Sequence, residues 1–274
     1  MTYLPVALTI AGTDPSGGAG IMADLKSFQA RGVYGMAVVT SLVAQNTRGV
    51  QLIEHVSPQM LKAQLESVFS DISPQAVKTG MLATTKIMEM IQPYLKQLDC
   101  PYVLDPVMVA TSGDALIDTS ARDYLKTNLL PLATIITPNL PEAEEIVGFS
   151  IKDQEDMQKA GRLILKEFGP QSVVIKGGHL EGGAKDFLFT KDEELSGKVH
   201  EFKLAIPMVL AVPLLQLSLL SLQKGKASIK QLIRPRLLSQ ELSKMPLNLG
   251  MVLVLLTIQL IKIKKTLSFP IYWE

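Results

Sequence analysis

The sequence predicts an α/β fold, a mostly parallel central sheet with helices on both faces. Three observations point there. Apolar runs of strand length alternate with segments of helical apolar spacing, the pattern of βαβ units. The strand-like runs are followed by polar residues, among them Asp14, Lys78, Asp105, Asn139, Glu142 and Lys176. A glycine-rich turn over residues 12–20 separates the first apolar run from the first helical one.

In chain order, residues 6–11 (VALTIA) read as a strand that stops at Gly12. A helix follows through Gln29, with Ile21, Leu25 and Phe28 on one face. Residues 36–43 read as a second buried strand, and residues 60–69 have helical spacing through Met60, Leu61, Leu65 and Val68. Residues 76–78 form a short strand leading into Thr79-Gly80-Met81, and residues 85–98 a helix. A strand at 102–104 ends at Asp105-Pro106. A helix over 121–129 and a strand over 134–136 follow, the strand ending at Thr137-Pro138-Asn139. Residues 142–147 and 154–168 are helical, and a strand over 172–175 ends at Lys176-Gly177-Gly178. Residues 187–190 and 198–202 pair as a hairpin. In parallel sheets of this kind ligands bind beyond the carboxyl ends of the strands, so the polar residues there are the candidates.

Length and charge narrow the class. A chain of 274 residues buries about three quarters of its unfolded surface. The 27 basic and 26 acidic side chains nearly balance, which gives no support for a nucleic-acid footprint. The single cysteine, Cys100, excludes an internal disulfide and fits a reducing, cytoplasmic compartment. No basic segment precedes an apolar run at the N-terminus, so a signal peptide is not expected.

The charge is unevenly spread. From residue 203 onward there are ten Lys/Arg and two acids, Glu241 and Glu274, so the first 202 residues carry 17 basic and 24 acidic groups. Residues 1–202 therefore read as an ordered core of net −7, and residues 203–274 as an aberrant segment of net +8. Residues 204–223 carry no charge and are long enough to span a bilayer. Pro207, Pro213 and Gln216 interrupt that run, and the favoured reading is a chain without a membrane anchor.

Several groups are suited to chemistry. The glycines of residues 12–20 let backbone approach a ligand closely, though the segment is equally a sharp strand-to-helix turn. It lacks the Gly-Lys-Ser/Thr ending of a phosphate-binding P-loop. Asp105, Asn139 and Glu142 offer oxygen ligands of the kind Mg²⁺ takes beside substrate phosphates. Asn139 and Glu142 are equally a helix cap and its box partner. Lys176 is placed to neutralise phosphate charge, or is a solvated lysine. The Gln45 amide donates and accepts, which suits a heteroaromatic edge, or it satisfies a turn. His55, His179 and His200 have no ligand spacing, and Cys100 reads as a structural thiol.

Taken together, LTIAGTDPSGGAGIMADLKSFQARGVYGMAVVTSLVAQNTRGV, VKTGML, VLDPVMVATSGDAL, TIITPNLPEAEEIVG and VVIKGGH resemble the hydroxymethylpyrimidine/phosphomethylpyrimidine kinases of thiamine synthesis, in the ribokinase-like superfamily. The resemblance spans residues 6–189. It implies a three-layer ribokinase-like fold, usually homodimeric. It also implies ATP-dependent phosphorylation of 4-amino-5-hydroxymethyl-2-methylpyrimidine and then of its monophosphate. Carried over by position, Asp24 and Gln45 are similar to pyrimidine-edge readers, and Gly12, Met81 and Val107 to pocket wall. Asp105 and Glu142 are similar to the Mg²⁺ ligands, Asn139 and Glu142 to the nucleotide shell, and Lys176 to a phosphate contact. Pyridoxal-phosphorylating relatives share most of these motifs, and several carry Met at the position of Gln45, so Gln45 favours the pyrimidine.

One family motif is absent. A turn similar to His-Gly-Thr-Gly-Cys-Thr-Phe, which supplies an anion hole and the family's catalytic base, is expected where this chain reads Pro207-Met208-Val209-Leu210-Ala211-Val212-Pro213-Leu214. Read one base earlier, those codons permit the whole motif. The same shift at residues 250–258 permits His-Gly-Ser-Gly-Pro-Thr-Asn-His, similar to the family's C-terminal segment. A single-base slip between residues 190 and 206 is therefore expected, with impaired activity in this copy.

Overall fold

Val6–Ala11 (β1) is apolar except for Thr9, and five of its six residues are buried. The computed structural model describes residues 4–108, 117, 119–177, 185–191 and 194–198. After the glycine turn, Gly20–Ala30 (α1) returns the chain to Tyr34–Val39 (β2), parallel to β1. Gly20 starts α1 at φ +55, and a Cβ there would stand 2.4 Å from the Gly12 carbonyl oxygen, so this junction requires glycine.

The expected strand over residues 36–43 is in fact two. The chain leaves the main sheet at the buried Thr40, whose N–H still bonds Ala11 O at 3.0 Å. Ser41–Asn46 (β3) then pairs antiparallel with Gly49–His55 (β4) as a separate two-stranded sheet. An apolar run interrupted only by Thr40-Ser41 masked this division. The alternation of β3, buried at Ser41 and Val43 and exposed at Leu42 and Ala44, is the signal that distinguishes it.

The remaining elements lie close to expectation. Pro58–Phe69 (α2) starts with Pro58 in its first turn and Ser57 as cap, its hydroxyl accepting from Met60 N at 3.2 Å. Ala76–Thr79 (β5), Thr85–Lys96 (α3) and Tyr102–Leu104 (β6) follow. Thr119–Tyr124 (α4) runs on through a π-helical turn, Leu125–Leu129. Ile135–Ile136 (β7), Leu140–Val147 (α5) and Gln154–Leu163 (α6) come next, α6 also ending in a π-helical turn. Ser172–Ile175 (β8) precedes a hairpin of Lys185–Thr190 (β9) and Glu194–Lys198 (β10). The hairpin's second strand is described over residues 194–198, with Glu194 pairing to Arg162 at 2.7 Å, and residues 199–202 of the expected strand lie outside the described residues.

The sheet order is β10-β9-β8-β7-β6-β5-β1-β2, parallel from β8 to β2 and antiparallel at β8–β9 and β9–β10. The alternation of strand side chains divides the core between its two faces. Leu8, Ile10, Leu104, Ile136 and Ile175 join Leu61, Met88, Ile91, Ala143 and Met157 of the helices on one face. Ala7, Val103, Ile135 and Val174 meet Phe28 of α1 on the other. These are three layers, as expected. The chain runs from β1 to β2 in one direction and from β5 to β8 in the other. The crevice between the carboxyl ends of β1 and β5 is therefore the switch point where such folds bind ligands.

Among the described residues no helix is long and apolar enough to cross a membrane. Residues 204–223 and the expected reading-frame slip lie outside the described residues.

Candidate functional site

Parallel register carries four strand ends to one rim. Asp105 N donates to Thr79 O at 3.0 Å, just past β5 and β6. Lys176 N donates to Pro138 O at 2.9 Å, and Asn139 and Lys176 continue the parallel pairing beyond β7 and β8. The side chains then close over the rim. Lys176 Nζ and Thr137 Oγ1 each donate to Asp105 Oδ1 at 3.2 Å. Burial pushes the Asp105 carboxyl up, but Lys176 and Lys78 outweigh it and hold it below the usual carboxylate range. Burial likewise opposes the Lys176 charge, and Asp105, Glu142 and Asp186 more than restore it.

Asn139 caps α5 in a full capping box. Its Oδ1 accepts from Glu142 N at 2.9 Å, and its own N–H donates to Glu142 Oε2 at 2.8 Å. The cap reading of these two residues is therefore correct, and it also fixes the Glu142 carboxyl toward the rim. Glu142 is 4% exposed. Burial, then the charge of Asp105, pushes it up to about 7.

The glycine-rich turn is organised from within. The buried Asp14 accepts from Ser16 N (2.9 Å), Ser16 Oγ (2.7 Å), Gly18 N (3.0 Å) and Ala19 N (2.8 Å). Burial raises its carboxyl, but Gln45, Ser16 and Ala19 together draw it down to about 2. The Gln45 side chain thus donates to Asp14 from β3, so the hairpin and the turn are tied together. Gly12 forms a wall with Met81 and Val43. A Cβ on Gly12 would stand 2.7 Å from Met81 Cε.

Asp24, on α1, faces β1 and β5. Lys78 Nζ donates to its two oxygens at 3.1 and 2.9 Å, and Thr9 Oγ1 donates to Oδ2 at 2.6 Å. Lys78 Nζ also lies 4.0 Å from Asp105 Oδ2. The sequence-expected residues therefore form two neighbouring groups: Asp105, Asn139, Glu142 and Lys176 over β6–β8, and Gly12, Gln45 and Met81 beside the turn. Val107 lies two residues past Asp105, half-buried, its N–H bonded to Asp105 O at 2.8 Å. Sequence reasoning gave no role to Lys78 or Asp14, although both stand among the polar strand-end residues. Thr9 was missed altogether; the signal was a lone hydroxyl in an otherwise apolar strand.

Comparison with known proteins settles the family. Residues 14–203 match the phosphomethylpyrimidine kinase family. The chain belongs to that family. A hydroxymethylpyrimidine/phosphomethylpyrimidine kinase of Staphylococcus aureus (strain MRSA252) is 55% identical over 201 residues, 72% of this chain and 73% of the relative. The crystal structure of phosphomethylpyrimidine kinase from Clostridium difficile 630 superposes with TM-score 0.66 at 48% identity, over 71% of this chain and 84% of that one. An ADP complex of Bacillus subtilis pyridoxal kinase superposes with TM-score 0.66 at 39% identity, over 72% and 75%.

Within the phosphomethylpyrimidine kinase fold the other candidates fall away from the rim. His55 Nδ1 lies 2.9 Å from Ser41 Oγ, a contact between β3 and β4. Cys100 is half-buried, and burial, then the Asp99 charge, pushes its thiol up to about 11. A thiol held there is a poor nucleophile at neutral pH. His179 and His200 lie outside the described residues. The family match ends at residue 203, where the charge pattern of the sequence changes.

Proposed function

We propose that this chain is built to phosphorylate 4-amino-5-hydroxymethyl-2-methylpyrimidine and then its monophosphate, at the expense of ATP. Turnover is impaired by the segment after residue 202. The observation that carries the chemistry is the Asp105–Lys176 pair beside the capped Glu142, at the carboxyl ends of adjacent strands. Carboxylates and a lysine gathered there suit a metal-bound triphosphate. Asp105 and Glu142 fit Mg²⁺, which takes one or two carboxylates together with substrate phosphates. Asp105 Oδ2 stays beyond hydrogen-bond distance of Lys78, so it is available to such an ion.

In this reading Asp105 and Glu142 hold the metal, and magnesium-bound ATP supplies the phosphoryl group. Asn139 and Glu142 orient the nucleotide, and Lys176 neutralises charge on the transferring phosphate. Gln45 and Asp24 read the pyrimidine edge, with Gly12, Met81 and Val107 as walls. ADP in the pyridoxal kinase relative supports an adenine nucleotide. That relative also supports a second reading, pyridoxal phosphorylation, against which Gln45 stands. Exposed Leu42 and Leu52 (53% and 66% exposed) lie near each other on the β3–β4 sheet and support a homodimer through that face. A cytoplasmic location follows from the biosynthetic role and the single cysteine.

The base that the family supplies is not among the residues proposed for the rim. The expected slip removes the family's cysteine-bearing turn, and the end of the family match at residue 203 supports that reading. Loss of anion-hole donors lowers turnover by about 10²–10³-fold. The test is a coupled ADP-release assay on the full chain with the pyrimidine and with pyridoxal in competition. Slow phosphorylation of the pyrimidine in preference to pyridoxal is expected. Preference for pyridoxal, or full family-level turnover, overturns the respective part of the reading.

A further inference from the structure

We propose that Lys78 is a positioning residue that couples the ring-side and phosphate-side halves of the site, an inference that rests on the function proposed above. Lys78 lies on β5, the strand beside the switch crevice, and its backbone registers with Thr9 of β1 and Val103 of β6. Its side chain is only 10% exposed. The ammonium forks onto both oxygens of Asp24 and points on toward Asp105 Oδ2 at 4.0 Å.

Three features mark this as a built arrangement. Thr9 Oγ1 on β1 donates at 2.6 Å to the same Asp24 oxygen, Oδ2, that Lys78 on β5 contacts, so the carboxylate is fixed over two paired strands. Asp105 is held on its far side by Lys176 and Thr137, which leaves Oδ2 facing Lys78. Gly80, two residues on, leaves room for the ammonium: a Cβ there would stand 3.2 Å from Lys78 Nζ. The ammonium donates to both Asp24 oxygens at 3.1 and 2.9 Å, and Asp105 Oδ2 at 4.0 Å lies at ion-pair rather than hydrogen-bond distance. Lys78 thereby sets the separation of the two carboxylates across β5. A buried ion pair contributes little to net stability but fixes geometry, because removing one partner strands the other.

Coupling distinguishes this role from a purely structural one. In the full chain, Lys78→Met should be non-additive with both Asp24→Asn and Asp105→Asn in urea unfolding cycles. Titration calorimetry with 4-amino-5-hydroxymethyl-2-methylpyrimidine, and separately with Mg²⁺ and AMP-PCP, should show both affinities falling about 10–100-fold in Lys78→Met. Lys78→Arg should restore most of each. Lys78→Gln, which keeps a donor, replaces Lys78→Met if that variant does not fold. Additivity with Asp105→Asn, or loss of one affinity with the other unchanged, overturns the coupling. An unmodified chain that binds neither ligand refutes the proposed function instead, and the unfolding cycles then decide Lys78 alone.

Discussion

Lys176 reaches across β7 to Asp105. The lysine follows β8 and the aspartate follows β6, yet Nζ and Oδ1 lie 3.2 Å apart. The pair therefore measures how tightly three parallel strand ends are gathered. Its side chains are 27% and 21% exposed, so solvent screens part of the attraction. Lys176→Met and Asp105→Asn should each destabilise the chain, and the double variant should cost less than their sum. A coupling of roughly 0.5–2 kcal/mol in urea unfolding is expected. Simple additivity would mean that the two groups do not interact in solution.

Glu142 gives the rim a pH dependence. Its carboxyl titrates near 7 when folded, against an ordinary value of 4.5. Between those values the folded protein keeps a proton that the unfolded chain has released. Stability from this group therefore falls as pH rises from about 4.5 to about 7, by up to roughly 3 kcal/mol. Glu142→Gln keeps an acceptor for Asn139 N and removes that slope. Thermal melts at pH 5 and pH 8 should differ less in the variant than in the parent, and equal differences would rule out the assignment.

Asp14 acts in the opposite sense. Its folded carboxyl lies near 2, below the ordinary 3.8, so its contribution is present above about pH 4 and is lost as pH falls toward 2. Asp14→Asn replaces one acceptor oxygen by a donor and removes an acceptor from the part-buried N–H bonds of the turn. A loss of about 1–3 kcal/mol at pH 7 is expected, shrinking toward acid pH. A variant as stable as the parent at pH 7 would show that the turn does not depend on this carboxylate.

Much of this arrangement was legible in the sequence because strand runs and their polar ends coincide. The runs at 6–11, 102–104 and 172–175 recur with the same bounds in β1, β6 and β8. Asp105 and Lys176 follow such runs, so the switch-point rule located them. The β3–β4 sheet was not legible, since Met36 to Val43 is apolar apart from Thr40-Ser41, which alone marks where the chain turns away. Lys78 was legible as a polar strand-end residue, but its role was not. A lysine inside a buried strand gains meaning only when Asp24, on α1, folds over it, and that contact spans 54 positions of sequence. The capping box at Asn139 was legible, but the raised Glu142 carboxyl was not, because burial and then the neighbouring Asp105 cause it against the Asn139 N–H.

The wall formed by Gly12 and Met81 tests packing at the ring pocket. An alanine at residue 12 would place its Cβ 2.7 Å from Met81 Cε, so the thioether must swing away. Because that atom is the far end of a flexible side chain, the cost is small, about 1 kcal/mol or less. Met81→Ala removes the clashing atom but opens a cavity in the core, so the double variant should cost less than the sum of the two single variants. Affinity for the pyrimidine should remain low in the double variant, because the wall is gone. Recovery of affinity would place the ring elsewhere.

The reading frame supplies the last expectation. Met208 fixes ATG and Val209 fixes GT at adjoining codons. Reading one base earlier, these yield a glycine after His, Tyr, Asn or Asp, and each following codon admits the next residue of the anion-hole turn. The second recovery, over residues 250–258, uses the same shift. A lost base between codons 190 and 206 explains both, together with the excess of basic over acidic groups after residue 202 and the end of the family match at residue 203. Sequencing should find bases similar to CATGGTACTGGCTGT across codons 207–212. Insertion of one base upstream should then raise pyrimidine phosphorylation by about 10²-fold or more. Bases that forbid glycine and cysteine in the shifted frame, or an insertion that leaves turnover unchanged, would sink the idea.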